Sequence, residues 1–138
     1  VGYIHLGEVG IFFSALAFGP LVGAVAGGVG TALADLTSPY AQWAIYSLIV
    51  HGLEGWLAGW IGRHLPGTGG SIAAVVVGGL VVVAGYLLAG TILIGFGAAL
   101  AEVPLNVVQV AVGGLVAIPL YAAVRRAYPP ILRFGRDR

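Results

Sequence analysis

Three observations predict an all-α integral membrane protein folded as a compact bundle of transmembrane helices. The chain is 59% hydrophobic and only 8% charged, where a water-soluble domain carries about 25% charged residues. Its mean hydropathy is +1.04. Its charge-free stretches are also long, covering residues 9–34, 36–53, 65–101 and 103–124. At about 20 residues per span, five spans use roughly 100 residues, so residues 1–138 read as a single transmembrane domain. A catalytic or ATP-binding domain therefore belongs on another chain. A net charge of +1 argues against a nucleic-acid partner. With no Cys, disulfides, thiolate metal sites and cysteine nucleophiles are excluded.

Backbone polar groups in hydrocarbon must pair internally, which makes the apolar stretches helices. The first, 9–34, contains Gly19-Pro20 in its middle, and Pro both removes a ladder hydrogen bond and restricts the residue before it. It reads as one kinked span or two short ones. The next helix is expected over about 41–62, closed by Arg63, His64 and Pro66. The 37-residue stretch is too long for one span and too short for two with a loop, so it reads as a span over 71–92 followed by a Gly-rich external connection over 95–101. The final span is expected over 103–124, closed by Arg125 and Arg126.

Counting crossings puts Arg63 on the same side as the C-terminal Arg cluster, with Asp35 and Glu102 opposite. The positive-inside rule then makes the Arg side, and the C-terminus, cytoplasmic. No Met occurs anywhere, including position 1, and residues 1–6 have neither a basic start nor a long apolar run. A processed N-terminus or a further upstream segment is implied, without a visible signal peptide.

Gly19, Gly23 and Gly27 form a GxxxGxxxG ridge, with Ala26, Gly30 and Ala34 on a neighbouring stripe. Small residues let helices approach closely in lipid. Such a face serves either packing within the bundle or docking of another subunit.

Polar residues inside spans are costly and face a cavity or each other. At 100° per residue Trp43, Tyr46, Ser47 and Glu54 fall within an arc of about 100°, with His51 at its edge. Glu102, Asn106 and Gln109 share an arc of roughly 60° on the last helix, and Tyr86 lies on the helix between. Two facing polar stripes with aromatics suit a pocket for a flat polar ligand. The competing roles are interhelical hydrogen bonding for Asn106 and Gln109, and an interfacial aromatic belt for Trp43 and Tyr46. Glu54, deep in its span, needs a partner or a cavity, and His51 one turn earlier is in reach. The His51-x-x-Glu54 spacing also invites a metal. With only His5 and His64 to complete such a site, no metal or other cofactor is expected. Glu8 and Asp35 stand at helix ends, where a cap or solvent contact is the usual role.

The run Tyr3-Ile4-His5-Leu6-Gly7-Glu8, then Phe18-Gly19-Pro20-Leu21-Val22-Gly23-Ala24 and Ala32-Leu33-Ala34-Asp35-Leu36, resembles the substrate-binding S components of energy-coupling factor (ECF-type) vitamin transporters. His51-Gly52-Leu53-Glu54-Gly55 and Val103-Pro104-Leu105-Asn106-Val107-Val108-Gln109 look like the fourth and sixth helices of the same family. The resemblance implies a six-helix fold of which five helices are visible, the family's first helix being absent. It implies that residues 1–6 end an outside loop and that Gly19-Pro20 divides two short helices. One departure is His51, where relatives often have Lys.

The resemblance further implies a membrane-embedded binding subunit of a prokaryotic importer, working with a transmembrane coupling subunit and two ATPases. Gly19, Gly23 and Gly27 become the docking side. Trp43, Tyr46, His51, Glu54, Tyr86, Asn106 and Gln109 become candidate contacts to a small vitamin or precursor. Two amides, a carboxylate, an imidazole and aromatics suit a heteroaromatic ligand, pyrimidine, pyridoxine-like or flavin, better than a long aliphatic acid. An intramembrane enzyme using His51 and Glu54 lacks an activated nucleophile, since Ser47 has no evident base. An oligomeric channel or self-contained transporter is the other alternative, though the two halves show no inverted repeat. Co-purification with ATPase and coupling subunits separates these classes.

Overall fold

The computed structural model describes residues 6–136. His5 and its neighbours 1–4, where the expected outside loop falls, lie outside the described residues, as do Asp137 and Arg138. Five helices form the bundle: α1 (Gly7–Phe18), α2 (Pro20–Leu36), α3 (Ala44–His64), α4 (Gly67–Ile94) and α5 (Phe96–Ala127). A short 3₁₀ turn, Ala41–Trp43, leads into α3, and a short α6 (Ile131–Arg136) follows Pro129-Pro130. The described residues contain no strand.

The burial pattern is that of a protein dissolved in lipid. On α2, Leu21, Val25, Val29, Leu33 and Leu36 point outward and are exposed, while Gly23, Gly27, Gly28 and Thr31 point inward. Exposed leucines and buried polar groups are the reverse of a soluble helix, and hydrocarbon outside accounts for both. Both α4 and α5 are long and apolar enough to cross a bilayer. At 1.5 Å per residue the 12-residue α1 is about 18 Å long, little more than half the hydrocarbon thickness.

Gly19 divides the first apolar stretch as two short helices require. Its φ of 92° is open to Gly and strained for other residues, and Pro20 starts α2 where its missing N–H leaves no vacancy in the ladder. Around α1 the bundle closes on itself. Helices α2 and α3 pack together, α3 meets α4, α4 meets α5, and α5 returns to α1. Phe12 sits at the centre of the core, against Ala15, Leu16, Val50, Ala58 and Val82 among others.

Several expected boundaries are corrected. Helix α3 runs to His64 rather than ending at residue 62, and residues 41–43 are 3₁₀. The Gly-rich connection expected over 95–101 is reduced to Gly95 alone. With φ 90° it reverses the chain, and α5 resumes at Phe96 rather than 103. Ala and Gly at 97–99 are compatible with a helix once packing supplies the energy. In the same way α4 begins at Gly67 rather than 71. Two prolines, Pro104 and Pro119, lie inside α5, each deleting one rung of the hydrogen-bond ladder.

Of the two roles open to Gly19, Gly23 and Gly27, the bundle uses them for internal packing. All three are buried within the bundle. A Cβ on Gly23 would overlap the Gly55 carbonyl, one on Gly27 the His51 carbonyl, and one on Gly28 would come within 2.7 Å of the Leu48 carbonyl. A Cβ on Gly59 would stand 2.6 Å from the Gly19 carbonyl carbon. The ridge is where α2 and α3 touch backbone to backbone, so it is filled from inside.

Candidate functional site

The two ends of the bundle differ in charge. Arg63 and Arg125 meet around a small cavity of about 60 Å³ at one end, where the Arg125 guanidinium lies 5.6 Å from the centre of the Tyr121 ring. At the other end Asp35 and Glu102 line a cavity of about 270 Å³ formed by α2, the 3₁₀ turn, α3, α4 and α5. This second cavity is the candidate ligand site.

Its aromatic wall follows from helix spacing. Trp43 and Tyr86 face each other at 5.9 Å between ring centres, and Tyr86 lies 5.4 Å from the His51 ring. Gly90 lets α5 approach α4 beside this wall: a Cβ there would come within 2.8 Å of Ala99 Cβ, while the Trp43 indole would stand at ordinary contact, 3.6 Å away. The polar wall comes from α5, where Glu102, Asn106 and Gln109 recur on one face.

Asp35, Ser47 and Tyr86 are tied together across three helices. Ser47 Oγ donates to Asp35 Oδ2 in a very short hydrogen bond. Since that uses the only hydroxyl hydrogen of Ser47, the Tyr86 O–H donates to Ser47 Oγ, at 2.5 Å. Thr31 Oγ1 donates back to the Gly27 carbonyl at 2.7 Å, satisfying itself within its own helix.

Beneath the cavity lies a fully buried cluster. His51 Nδ1 is 2.6 Å from Glu54 Oε2 and 3.6 Å from Glu8 Oε1, and Gln109 Nε2 donates to Glu8 Oε1 at 3.1 Å. Glu8 and Glu54 have no exposed surface and His51 is 1% exposed. Gly78 and Gly113 let α4 and α5 close over them: a Cβ on Gly78 would come within 3.2 Å of Glu54 Cγ, and one on Gly113 would overlap Glu8 Cβ.

Of the residues picked from sequence, Trp43, His51, Tyr86, Asn106 and Gln109 line the one cavity. Tyr46 and Glu54 do not. Tyr46 packs edge-on to Trp43 at 6.5 Å, and Glu54 lies deeper, bound to His51. Glu8 and Asp35 do stand at helix ends; the cap or solvent role is corrected for Glu8, which is buried at the core of the polar cluster, while half-buried Asp35 lines the cavity. Glu8 carried a usable signal. Glu8, Ile11, Phe12 and Ala15 repeat at i, i+3, i+4 and i+7, the spacing of one buried face. Tyr40 and Gln42 also line the cavity without a signal in the sequence, because the turn that folds them over it has no periodicity to read.

Residues 1–126 match the family model described as ECF-type riboflavin transporter, S component. The chain is 38% identical to an uncharacterized protein of Pyrococcus woesei over 131 residues, covering 95% of this chain and 88% of that protein. It is 35% identical over 124 residues to the thiamine precursor transporter HmpT of Lactococcus lactis subsp. cremoris, covering 86% of this chain and 68% of that protein. A match across nearly the whole chain, on a helical bundle with lipid-facing leucines and a polar interior, places this membrane protein in the ECF-type riboflavin transporter S-component family.

Proposed function

We propose that the chain binds a heteroaromatic vitamin or vitamin precursor in the cavity between Trp43, Tyr86 and the α5 amides, and passes it inward without chemical change. The observation that carries the reading is the cavity itself, with aromatic faces on one side and Asn106, Gln109 and Glu102 on the other. Its volume of about 270 Å³ is close to the lower end of the range of about 300–1,000 Å³ for small-molecule sites. Riboflavin, in the family's description, and a thiamine precursor, in the name of the relative, both offer a flat nitrogen heterocycle to such walls.

Residues 1–138 work as one transmembrane domain. A transmembrane coupling subunit and two ATPases supply the energy. The bundle sits in a prokaryotic plasma membrane with its Arg-bearing end and C-terminus in the cytoplasm, because clustered Arg favours that side. The ligand cavity then faces outward. The family described by the matching model and the named relative are transporters, which supports a binding role over catalysis.

The test is a fluorescence and calorimetric titration of purified protein with riboflavin, thiamine and an aminopyrimidine precursor. Saturable binding of at least one, weakened by Trp43→Ala, is expected. No binding of any heteroaromatic, with the protein monodisperse and folded, overturns the reading. Pull-down from a native membrane should bring down ATPase and coupling subunits with the chain, which neither a self-contained channel nor an enzyme requires.

A further inference from the structure

We propose that Glu8, His51 and Glu54 form a binding site for one divalent transition-metal cation, seated beneath the ligand cavity. Three donors from two helices converge there: a ligating atom of each lies within 4.8 Å of the others. Among the described residues, Glu8 Oε2 and Glu54 Oε1 are buried with no hydrogen-bond partner. Such atoms are costly in a membrane interior, where water cannot replace a missing donor. The chain has no Lys, and among the described residues the basic side chain facing the two carboxylates is His51, 2.6 Å from Glu54 and 3.6 Å from Glu8. A dication contacting both acids satisfies both orphan oxygens at once and cancels a charge of −2.

The donor set also selects the ion. Two carboxylates and one imidazole suit Mn²⁺, Fe²⁺, Co²⁺ or Zn²⁺, whereas Mg²⁺ and Ca²⁺ prefer oxygen alone and Cu(I) prefers sulfur. Gln109 holds Glu8 from behind through its 3.1 Å hydrogen bond, as groups around metal ligands commonly do. His51 and Gln109 also line the cavity, which gives the ion an approach from that side. For Nδ1 to ligate, neutral His51 carries its one hydrogen on Nε2, so the hydrogen in the 2.6 Å contact is that of a protonated Glu54 carboxyl; as the cation binds, that proton leaves to solvent and both carboxylates are ionised. The metal reading does not rest on the vitamin reading, although His51 and Gln109 touch both sites.

The test uses the full chain without a His tag, stripped with chelator in detergent, then equilibrated with Mn²⁺, Co²⁺ or Zn²⁺ and assayed for retained metal. About one equivalent of at least one ion is expected, with Glu8→Gln and Glu54→Gln each lowering affinity about 10- to 100-fold or more. His64→Gln, at the Arg-bearing end of the bundle, should leave metal affinity unchanged. Bound Co²⁺ should show visible absorption that shifts in Glu8→Gln. Melting temperatures are taken for each variant. If Glu54→Gln does not fold, Gln109→Ala is the substitute, with a smaller loss of affinity expected. Retention below about a tenth of an equivalent for all three ions overturns the proposal, leaving a proton to satisfy the carboxylate pair. So does full retention in both Glu8→Gln and Glu54→Gln. Vitamin titration of the same stripped protein reads the upper cavity independently.

Discussion

Gly27 presses directly on the backbone carbonyl of His51, so the contact that joins α2 to α3 also fixes the residue at the floor of the ligand cavity. Packing and binding are therefore linked through one pair. A side chain at position 27 cannot be added without moving the His51 peptide.

Gly27→Ala should lower stability by about 1–3 kcal/mol, the usual cost of overpacking, and weaken ligand binding with it. Gly30→Ala is the matched control, since a Cβ there meets nothing within 4 Å. Melting temperature and affinity measured together check this. A Gly27→Ala protein with unchanged stability and failed subunit assembly would return the ridge to a docking role.

Asn106→Ala should leave the fold intact and cost about 1–3 kcal/mol of binding, roughly 5- to 150-fold, by leaving a buried ligand group unpaired. Isothermal titration with the preferred vitamin reads it. Unchanged affinity would remove Asn106 from the site.

Tyr86→Phe keeps the ring beside Trp43 and His51 while deleting the O–H that donates to Ser47. A stability loss of about 0.5–1.5 kcal/mol is expected, with stacking of the ligand largely kept. Tyr86→Ala should lose both. Equal affinities for the two variants would show that the ring does not touch ligand.

Single cysteines in place of Arg63 and Arg125 should react only with reagent supplied from the cytoplasm, and those in place of Asp35 and Glu102 only from outside. The chain has no native Cys to interfere. Labelling of Arg63→Cys from outside would invert the orientation and the cavity with it.

The helices were legible because charge-free length is a direct readout of the bilayer, and Gly19-Pro20 marked its break locally. The stripes on α3 and α5 were legible because 100° geometry places Trp43 with Ser47, and Glu102 with Asn106 and Gln109. Two things depended on tertiary packing instead. A run such as 95–101 carries no mark saying that one Gly suffices for the turn, and a GxxxGxxxG ridge reads the same whether its partner is α3 or another subunit. Glu8 was obscured by its place beside a helix start, where solvent contact is ordinary; only the α1–α5 contact makes it interior.

The segment between Gly95 and Pro104 is bounded by two interruptions of the backbone ladder, a reversal of φ at one end and a missing donor at the other. It carries Ala99 and Glu102, both on the cavity wall. The outer two turns of α5 are therefore joined to the rest of the bundle by fewer backbone hydrogen bonds than the turns below the proline, which carry Asn106 and Gln109, and local opening is expected to concentrate there. Amide hydrogen exchange should run faster over 96–103 than over 105–117 in the free protein, and slow over 96–103 when ligand is bound.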